Sequence, residues 1–543
     1  MTESLPGGRR LDVLICCTLA VVVLAAGCGR ALWPACGYRH DDAIYASTAR
    51  AIYEGRGYRL VDLPGSPPQT KYPPLYPAVL AALWTIQPSF PDNLILLKTF
   101  TLACAAAFVA ASYLYLTRFG YLTRGVALAA CLLAATAHYF ADYTTSLMAE
   151  MLFGLLSVAL LWRLDALRQS PREGVGADLL TGLLLALPFL SRSIGVVFIP
   201  VGLLLLRGWG RPYRRVGLVA ALLVLPWIGW TLRAAMASRG DPVEGYYTDY
   251  LGWWMSFGPP VLGRVVGYNA LKLLVNTAAL PAEGVGAFLT GLHPLAMVLP
   301  MLCAGLVGLT ALARRLTHGE ALPWLIAGYL LVVLVWPWHP VRFLLPILPA
   351  LAGFVLVGLG DLVRPRIGAV GTIRLGVLLV LVCAIANVWD LTSRSILSHR
   401  HGAPAVDAAE VPARWADFED TFAWVRANSN ESDVLASGSD AMLGVYTRRK
   451  AFYPIVCSPL SYIYGLPSNQ DDADFDHSLS ALRLHRPRYL VLTAGFHGEA
   501  DFRAWVDRLV AAYPERVKRV HTGDDPRFVI YQLSYPLVVE EAP

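Results

Sequence analysis

Charge is scarce in this 543-residue sequence: Asp, Glu, Lys and Arg make up 15% of it, against 56% hydrophobic residues. A soluble domain carries about 25% charged residues, because its surface must be solvated. The deficit, with a mean hydropathy of +0.50, excludes a string of soluble domains and places much of the chain against lipid. A disulfide framework is missing too. Cys16, Cys17, Cys28, Cys104, Cys131, Cys303 and Cys383 lie in apolar runs, where Cys acts as a small hydrophobe, and only Cys36 and Cys457 stand outside them. No CxxC and no His/Cys spacing suggests a structural zinc site. The polar C-terminal part has no GxGxxG, P-loop or GxSxG motif.

What charge there is divides unevenly. Residues 393–543 hold 16 Lys+Arg against 20 Asp+Glu, which leaves 29 against 19 for the first 392. The basic residues of the front part sit in short clusters between apolar runs rather than on one face, so nucleic acid is not an expected partner.

A helix crossing the hydrocarbon core needs about 20 apolar residues. Such runs are Leu11–Trp33, Leu94–Leu116, Gly125–Phe140, Leu147–Trp162, Val216–Met236, Leu292–Ala313, Ala321–Trp338, Val341–Gly360 and Leu375–Leu391. The first follows Arg9-Arg10 and exceeds a signal-peptide core, so it reads as a retained anchor. Leu179–Leu206, broken by Pro188 and Ser191-Arg192-Ser193, reads as two half-length helices meeting near Arg192. The total is about eleven membrane helices. With a cytoplasmic N-terminus, this count puts all five short basic connections, from Arg118/Arg124 to Arg364/Arg366/Arg374, on the cytoplasmic side, as the positive-inside rule requires.

Residues 1–392 are thus a polytopic α-helical membrane domain with outer loops at 34–93 and 237–291. Both loops have an interfacial composition, as at Tyr246-Tyr247 and Trp253-Trp254. Residues 393–543 alternate helix-like and strand-like patterns and read as a small extracytoplasmic α/β domain. The expected location is a bacterial inner membrane.

Ionisable residues beside apolar runs are functional candidates. Asp41-Asp42 follows the first span; it reads as a catalytic carboxylate pair or as solvated charge, with Asp42 suited to capping a helix start. Lys71, before Pro73-Pro74, suits a phosphate or headgroup snorkelling. Glu150 precedes an apolar run and needs a partner or a wet cavity. Arg192 lies where a helix breaks, which is tolerated where a cavity is lined. His339 and Arg342, in Trp336-Pro337-Trp338-His339-Pro340-Val341-Arg342, suit an anionic headgroup, a phosphate or an interface anchor. All but Asp42, whose place follows Asp41, fall on the outer side by an independent count.

These residues resemble the GT-C superfamily of polytopic glycosyltransferases, in particular bacterial relatives of protein O-mannosyltransferases and lipid A aminoarabinose transferase. The likeness rests on Asp41-Asp42-Ala43-Ile44-Tyr45, Lys71-Tyr72-Pro73-Pro74-Leu75, the Glu150 segment, the basic break at Arg192 and Arg342-Phe343 leading to Pro346 and Pro349. It implies an inverting enzyme moving a sugar from a polyprenyl-phosphate donor to a lipid, glycan or protein acceptor. By that resemblance Asp41 is the general base and Lys71, Arg192 and Arg342 bind the donor phosphate. Asp42, Glu150 and His339 are left to orient the acceptor. No tightly bound cofactor is implied. A divalent cation is in doubt, because Thr70 stands where one branch has a metal-binding Glu; Glu150 and His339 would be its ligands. The competing readings are a lipid or sugar flippase or transporter, and a polymerase or ligase using a diphosphate-linked donor.

Overall fold

The computed structural model describes residues 6–33, 35–170, 174–237, 241–248, 258–401, 413–455, 471–495 and 499–537. Trp253-Trp254 and Cys457 lie outside the described residues. Among those described, five helices are long and apolar enough to cross a membrane: Gly8–Ala31, Leu94–Arg118, Tyr213–Met236, Pro294–His318 and Val341–Ser398. Two bent pairs bring the number to seven, Arg124–Thr136 with His138–Thr144 (70°) and Val261–Ala279 with Glu283–Leu292 (113°). The chain is a multi-pass membrane protein. Apolar side chains cover the outward faces of several spans, among them Leu218, Leu222, Leu225 and Leu232, and Ile373, Val377, Leu381 and Ile385. An exposed apolar surface this continuous needs lipid against it.

The expected eleven helices exceed this number for two reasons. Val175–Ser191, Ser193–Gly208 and Ala321–Val335 are too short to span by length. Val341–Gly360 and Leu375–Leu391, expected as separate spans, fall in one helical stretch kinked at Gly368, whose φ of 67° only glycine adopts cheaply. The break near Arg192 is present, as a 3₁₀ turn over Ser193–Val197 between the helices Val175–Ser191 and Phe198–Gly208.

The segment expected as a second outer loop is largely helical instead. Gly258–Ala279 forms a 22-residue helix followed by Glu283–Leu292. Arg264, Asn269, Lys272 and Asn276 interrupt its apolar sequence, so no continuous run marks it. This helix lies so close to Pro294–Ala313 that a Cβ on Gly305 would sit 1.8 Å from the Leu274 carbonyl oxygen. The Asn269 amide donates to the carbonyls of Val333, Leu334 and Trp336 (3.1, 3.1 and 2.7 Å). It thereby satisfies carbonyls that the end of Ala321–Val335 leaves without helical partners, and it fixes the start of the turn leading to Arg342.

The C-terminal domain holds a five-stranded sheet: β1 Val434–Ser437, β2 Lys450–Phe452, β3 Tyr489–Leu492, β4 Val517–Thr522 and β5 Val529–Leu533, in the order β2-β1-β3-β5-β4. β1 pairs parallel with β2 and β3, while β5 is antiparallel to β3 and β4. Between β1 and β2, the helix Asp440–Thr447 packs on the 34–93 loop. A Cβ on Gly37 would meet the Met442 Cβ at 2.7 Å, and one on Gly444 would meet the Asp62 Cβ at 2.6 Å. The Ala451 amide donates to the Asp62 carbonyl at 2.7 Å. The two domains therefore meet backbone to backbone.

Candidate functional site

The helix Asp41–Tyr53 begins at the acidic pair, and Asp41 is only 9% exposed. Its Oδ1 accepts a hydrogen bond from the Tyr72 hydroxyl. Its Oδ2 accepts one from Arg342 Nη1 at 2.9 Å. Lys71 Nζ stands 4.0 Å from Oδ1 and His40 Nδ1 stands 3.9 Å from it. Burial by itself would raise this carboxyl's pKa; Arg342, Lys71 and His40 override that and hold it well below the usual carboxylate range. Asp41 is accordingly an ionised carboxylate ringed by donors.

The loop carrying Lys71 and Tyr72 is tied down from three sides. Gln69 Oε1 accepts the backbone amides of Lys71 and Tyr72 (2.9 and 3.3 Å), and its Nε2 donates to Thr48 on the Asp41–Tyr53 helix. Trp230 Nε1 donates to the Gln69 carbonyl at 2.9 Å, and Thr70 Oγ1 to the Thr248 carbonyl at 2.8 Å. The Tyr72 ring lies 4.6 Å from that of Tyr45, which lies 5.1 Å from Tyr76. Burial, partly offset by Asp41, lowers the pKa of the Lys71 ammonium.

Arg342 links Asp41 to a second carboxylate. Its Nε is 3.5 Å from Glu150 Oε1, the same oxygen that pairs with Arg192 Nη1. Glu150 is 1% exposed and Arg192 7%. Glu150 opens the helix Glu150–Gln169, where the positive end of the helix dipole also favours its charge. The Phe343 ring lies under both guanidiniums, 5.1 Å from Arg192 and 5.4 Å from Arg342. Five of the sequence-selected residues thus form one chain of charge, Lys71–Asp41–Arg342–Glu150–Arg192, drawn from four separate stretches of sequence.

The other two stand differently. Asp42 does not cap the helix as expected: the helix starts at Asp41, so Asp42 already lies within its first turn, and no side chain makes a cap hydrogen bond there. Its carboxylate turns back and accepts the amides of Gly37 (2.8 Å) and Arg39 (3.2 Å), pinning the approach to the helix. Burial raises the pKa of Asp42 above the ordinary value despite the Gly37 bond. His339 is exposed, with Nδ1 3.3 Å from the Tyr268 hydroxyl.

Three participants were absent from the sequence reading. Tyr72 read only as a spacer between Lys71 and the prolines. His40 has φ 58° and ψ −58°, a backbone conformation costly for a residue with a Cβ. Its Nε2 is hydrogen-bonded to Asp440 Oδ1 at 3.1 Å. Burial lowers the ring's pKa, and Asp440 and Asp41 more than offset this, pushing it up to about 9. Asp440 comes from the C-terminal domain, 400 residues away. Adjacency to the acidic pair was the one sequence signal for His40; Asp440 had none.

The residues do not fit a divalent cation. Glu150 is engaged by two guanidiniums, which would repel a cation, and Thr70 supplies no carboxylate. Among the described residues no three His, Cys, Asp or Glu side chains group as metal ligands.

No family model matches the chain, and no curated protein matches it in sequence. Its structure does match solved ones. ArnT from Cupriavidus metallidurans, bound to undecaprenyl phosphate, aligns with a TM-score of 0.52 and 14% identity over 97% of this chain and 98% of that one. The archaeal oligosaccharyltransferase AglB from Archaeoglobus fulgidus, with an inhibitory peptide and a dolichol-phosphate, aligns with a TM-score of 0.52 and 12% identity over 97% of this chain and 75% of that one. A structure of the Archaeoglobus fulgidus oligosaccharyltransferase with Zn and sulfate gives 0.54 and 12% over 96% and 74%. The chain has the GT-C fold of these polytopic membrane glycosyltransferases, as its sequence motifs led one to expect.

Proposed function

We propose that this protein is an inverting glycosyltransferase, moving a sugar from a polyprenyl-phosphate carrier to an acceptor hydroxyl outside the cytoplasm. The observation that carries this reading is the single ionised carboxylate, Asp41, set between Lys71 and Arg342. A reaction that deprotonates a hydroxyl and expels a phosphate needs one base and fixed cations within reach of each other. Asp41 takes the proton from the acceptor hydroxyl as that oxygen forms its bond to C1 of the sugar. The bond from C1 to the phosphate oxygen breaks, and the electron pair leaves with the polyprenyl phosphate. Lys71 and Arg342 receive the developing negative charge, while Glu150 and Arg192 hold Arg342 from behind.

Arg342 and Lys71 thereby serve two anions in turn. In the free enzyme they keep Asp41 ionised but weakly basic. An arriving phosphate draws both cations toward itself, and Asp41 becomes a stronger base only when a donor is present. The bound undecaprenyl phosphate of ArnT, a protein of similar fold, supports the choice of donor class.

The test is a transfer assay of the purified protein in lipid nanodiscs with a panel of undecaprenyl-phosphate sugars. Sugar should move to an acceptor with inversion, and activity should survive EDTA. Complete loss with EDTA, restored by a divalent ion, would overturn the metal-independent version of the mechanism. Transfer only from diphosphate-linked donors would overturn the donor class.

Sidedness forms part of the same proposal: the N-terminus is cytoplasmic and the C-terminal domain is outside. Reporter fusions after Arg168, Arg215 and Leu391 should read inside, inside and outside. A cytoplasmic signal from the last would place the catalytic face on the wrong side for such a reaction.

A further inference from the structure

The Asp440 carboxylate is 1% exposed, and both its oxygens are engaged by residues from other parts of the chain. Oδ1 meets His40 Nε2 at 3.1 Å, and Oδ2 accepts from the Tyr247 hydroxyl at 2.5 Å. His40 belongs to the 34–93 loop and Tyr247 to the helix Pro242–Thr248. One buried carboxylate of the C-terminal domain therefore gathers three segments at the edge of the charge chain around Asp41. The imidazole and phenol rings lie stacked, 6.2 Å apart. Beyond them, Arg50 pairs with Asp62 and donates to the Val445 carbonyl, and His485 Nε2 meets Asp241 at 3.1 Å, so the domain contact is polar and specific.

A buried acid is costly unless charged or hydrogen-bonded partners face it. The packing of the domain could have been completed by an apolar residue at this position. What Asp440 adds is an anchor for His40, a residue in a strained backbone conformation directly before the base. Released, His40 can relax its φ to negative values and carry the first residue of the helix with it.

We infer that Asp440 is a positioning residue for the reaction proposed above: it locks His40, and through His40 it sets the Asp41 carboxylate between Lys71 and Arg342. The C-terminal domain is then a working part of the active site, and the site is complete only when that domain is docked. This rests on the reading of Asp41 as the base.

Full-length Asp440→Asn, His40→Gln and the double variant test it, in the nanodisc assay with an undecaprenyl-phosphate sugar. Each single change should lower kcat about 10–100-fold, below the loss expected for removing the base itself, with the donor KM within about twofold. The double variant should lose no more than the worse single one, because both break the same link. A second readout does not depend on turnover: carbethoxylation of His40 by diethyl pyrocarbonate, followed by mass spectrometry at pH 7. An imidazole held protonated against Asp440 resists this reagent, so His40 should be protected in the wild type and modified in Asp440→Asn. Wild-type kcat in Asp440→Asn, multiplicative losses in the double variant, or equal His40 reactivity in wild type and variant would each overturn the inference. So would a drop in turnover matched by an equal drop in folded protein. Failure of the wild type to transfer from any donor would instead sink the functional reading, and the His40 protection test would still decide whether Asp440 holds His40.

Discussion

Asp41→Asn should lower turnover about 10²–10⁴-fold, the range for loss of a general base, while the protein still extracts and melts as a folded species. The amide keeps the shape of the carboxylate and can still accept from Tyr72 and Arg342. It cannot take a proton. Removing its charge also relieves Asp41's hold on Lys71 and Arg342, so undecaprenyl phosphate should bind at least as tightly as to the wild type. The neighbouring acid gives the contrast. Asp42→Ala leaves the buried amides of Gly37 and Arg39 without an acceptor, which costs about 1–3 kcal/mol per unsatisfied group. Its main effect should be a lower melting temperature, with a smaller loss of turnover than Asp41→Asn. The pH dependence has a definite sign. A base works when deprotonated, and the pKa of Asp41 is depressed, so the acid limb of kcat/KM, which reports the free enzyme, should lie below the ordinary value of about 3.9. The acid limb of kcat, which reports the loaded enzyme, should lie higher, because the phosphate then shares the cations. Wild-type turnover in Asp41→Asn, or identical acid limbs for both constants, would refute this account.

Arg192→Met should destabilise the protein by about 3–5 kcal/mol, the usual consequence of removing one partner of a buried ion pair. Glu150, 1% exposed, loses the guanidinium on its Oε1. Arg342, already 3.5 Å from that oxygen, is the nearest replacement and is pulled toward it, away from Asp41. Turnover should fall with stability. The double variant Glu150→Gln/Arg192→Met removes both charges and should recover most of the melting temperature, since an apolar or neutral pair in such a site is often as stable as the ionic one. Turnover should not recover with it, because Arg342 has lost the carboxylate that steadies its far side. A double variant that regained wild-type turnover would show that this pair serves packing alone.

The charges were legible because of where they stand. Glu150 before Met151-Leu152-Phe153 and Arg192 inside a broken apolar run have no bland reason to be there, and Asp41, Lys71 and Arg342 each sit at the mouth of a span. What joins them could not be read. The hydroxyl of Tyr72 lies in a loop rich in Tyr and Pro, where an interfacial ring is the ordinary expectation. Asp440 follows Ser437-Gly438-Ser439 at the start of a short polar helix, like many surface acids. In the fold, long apolar helices announced themselves, whereas Gly258–Ala279 was hidden by the Asn and Lys residues that secure it to its neighbours. β4, with Lys518, Arg519 and Val520 exposed, is an edge strand whose outward charges conceal its pattern, and β2 has only three residues.

The bond between His40 and Asp440 also has a temporal meaning. The ribosome adds about 5–20 residues per second, so roughly 20–80 s pass between synthesis of the two residues, which are 400 positions apart. Throughout that interval the membrane helices can insert and pack, with Asp41, Lys71 and Arg342 already made, while the face of the 34–93 loop that receives Met442 and Gly444 stays bare. Contacts so distant along the chain form late. The last stretch to be delivered is therefore the one that closes the site, and a nascent chain cut short before it is an unfinished enzyme rather than a slow one.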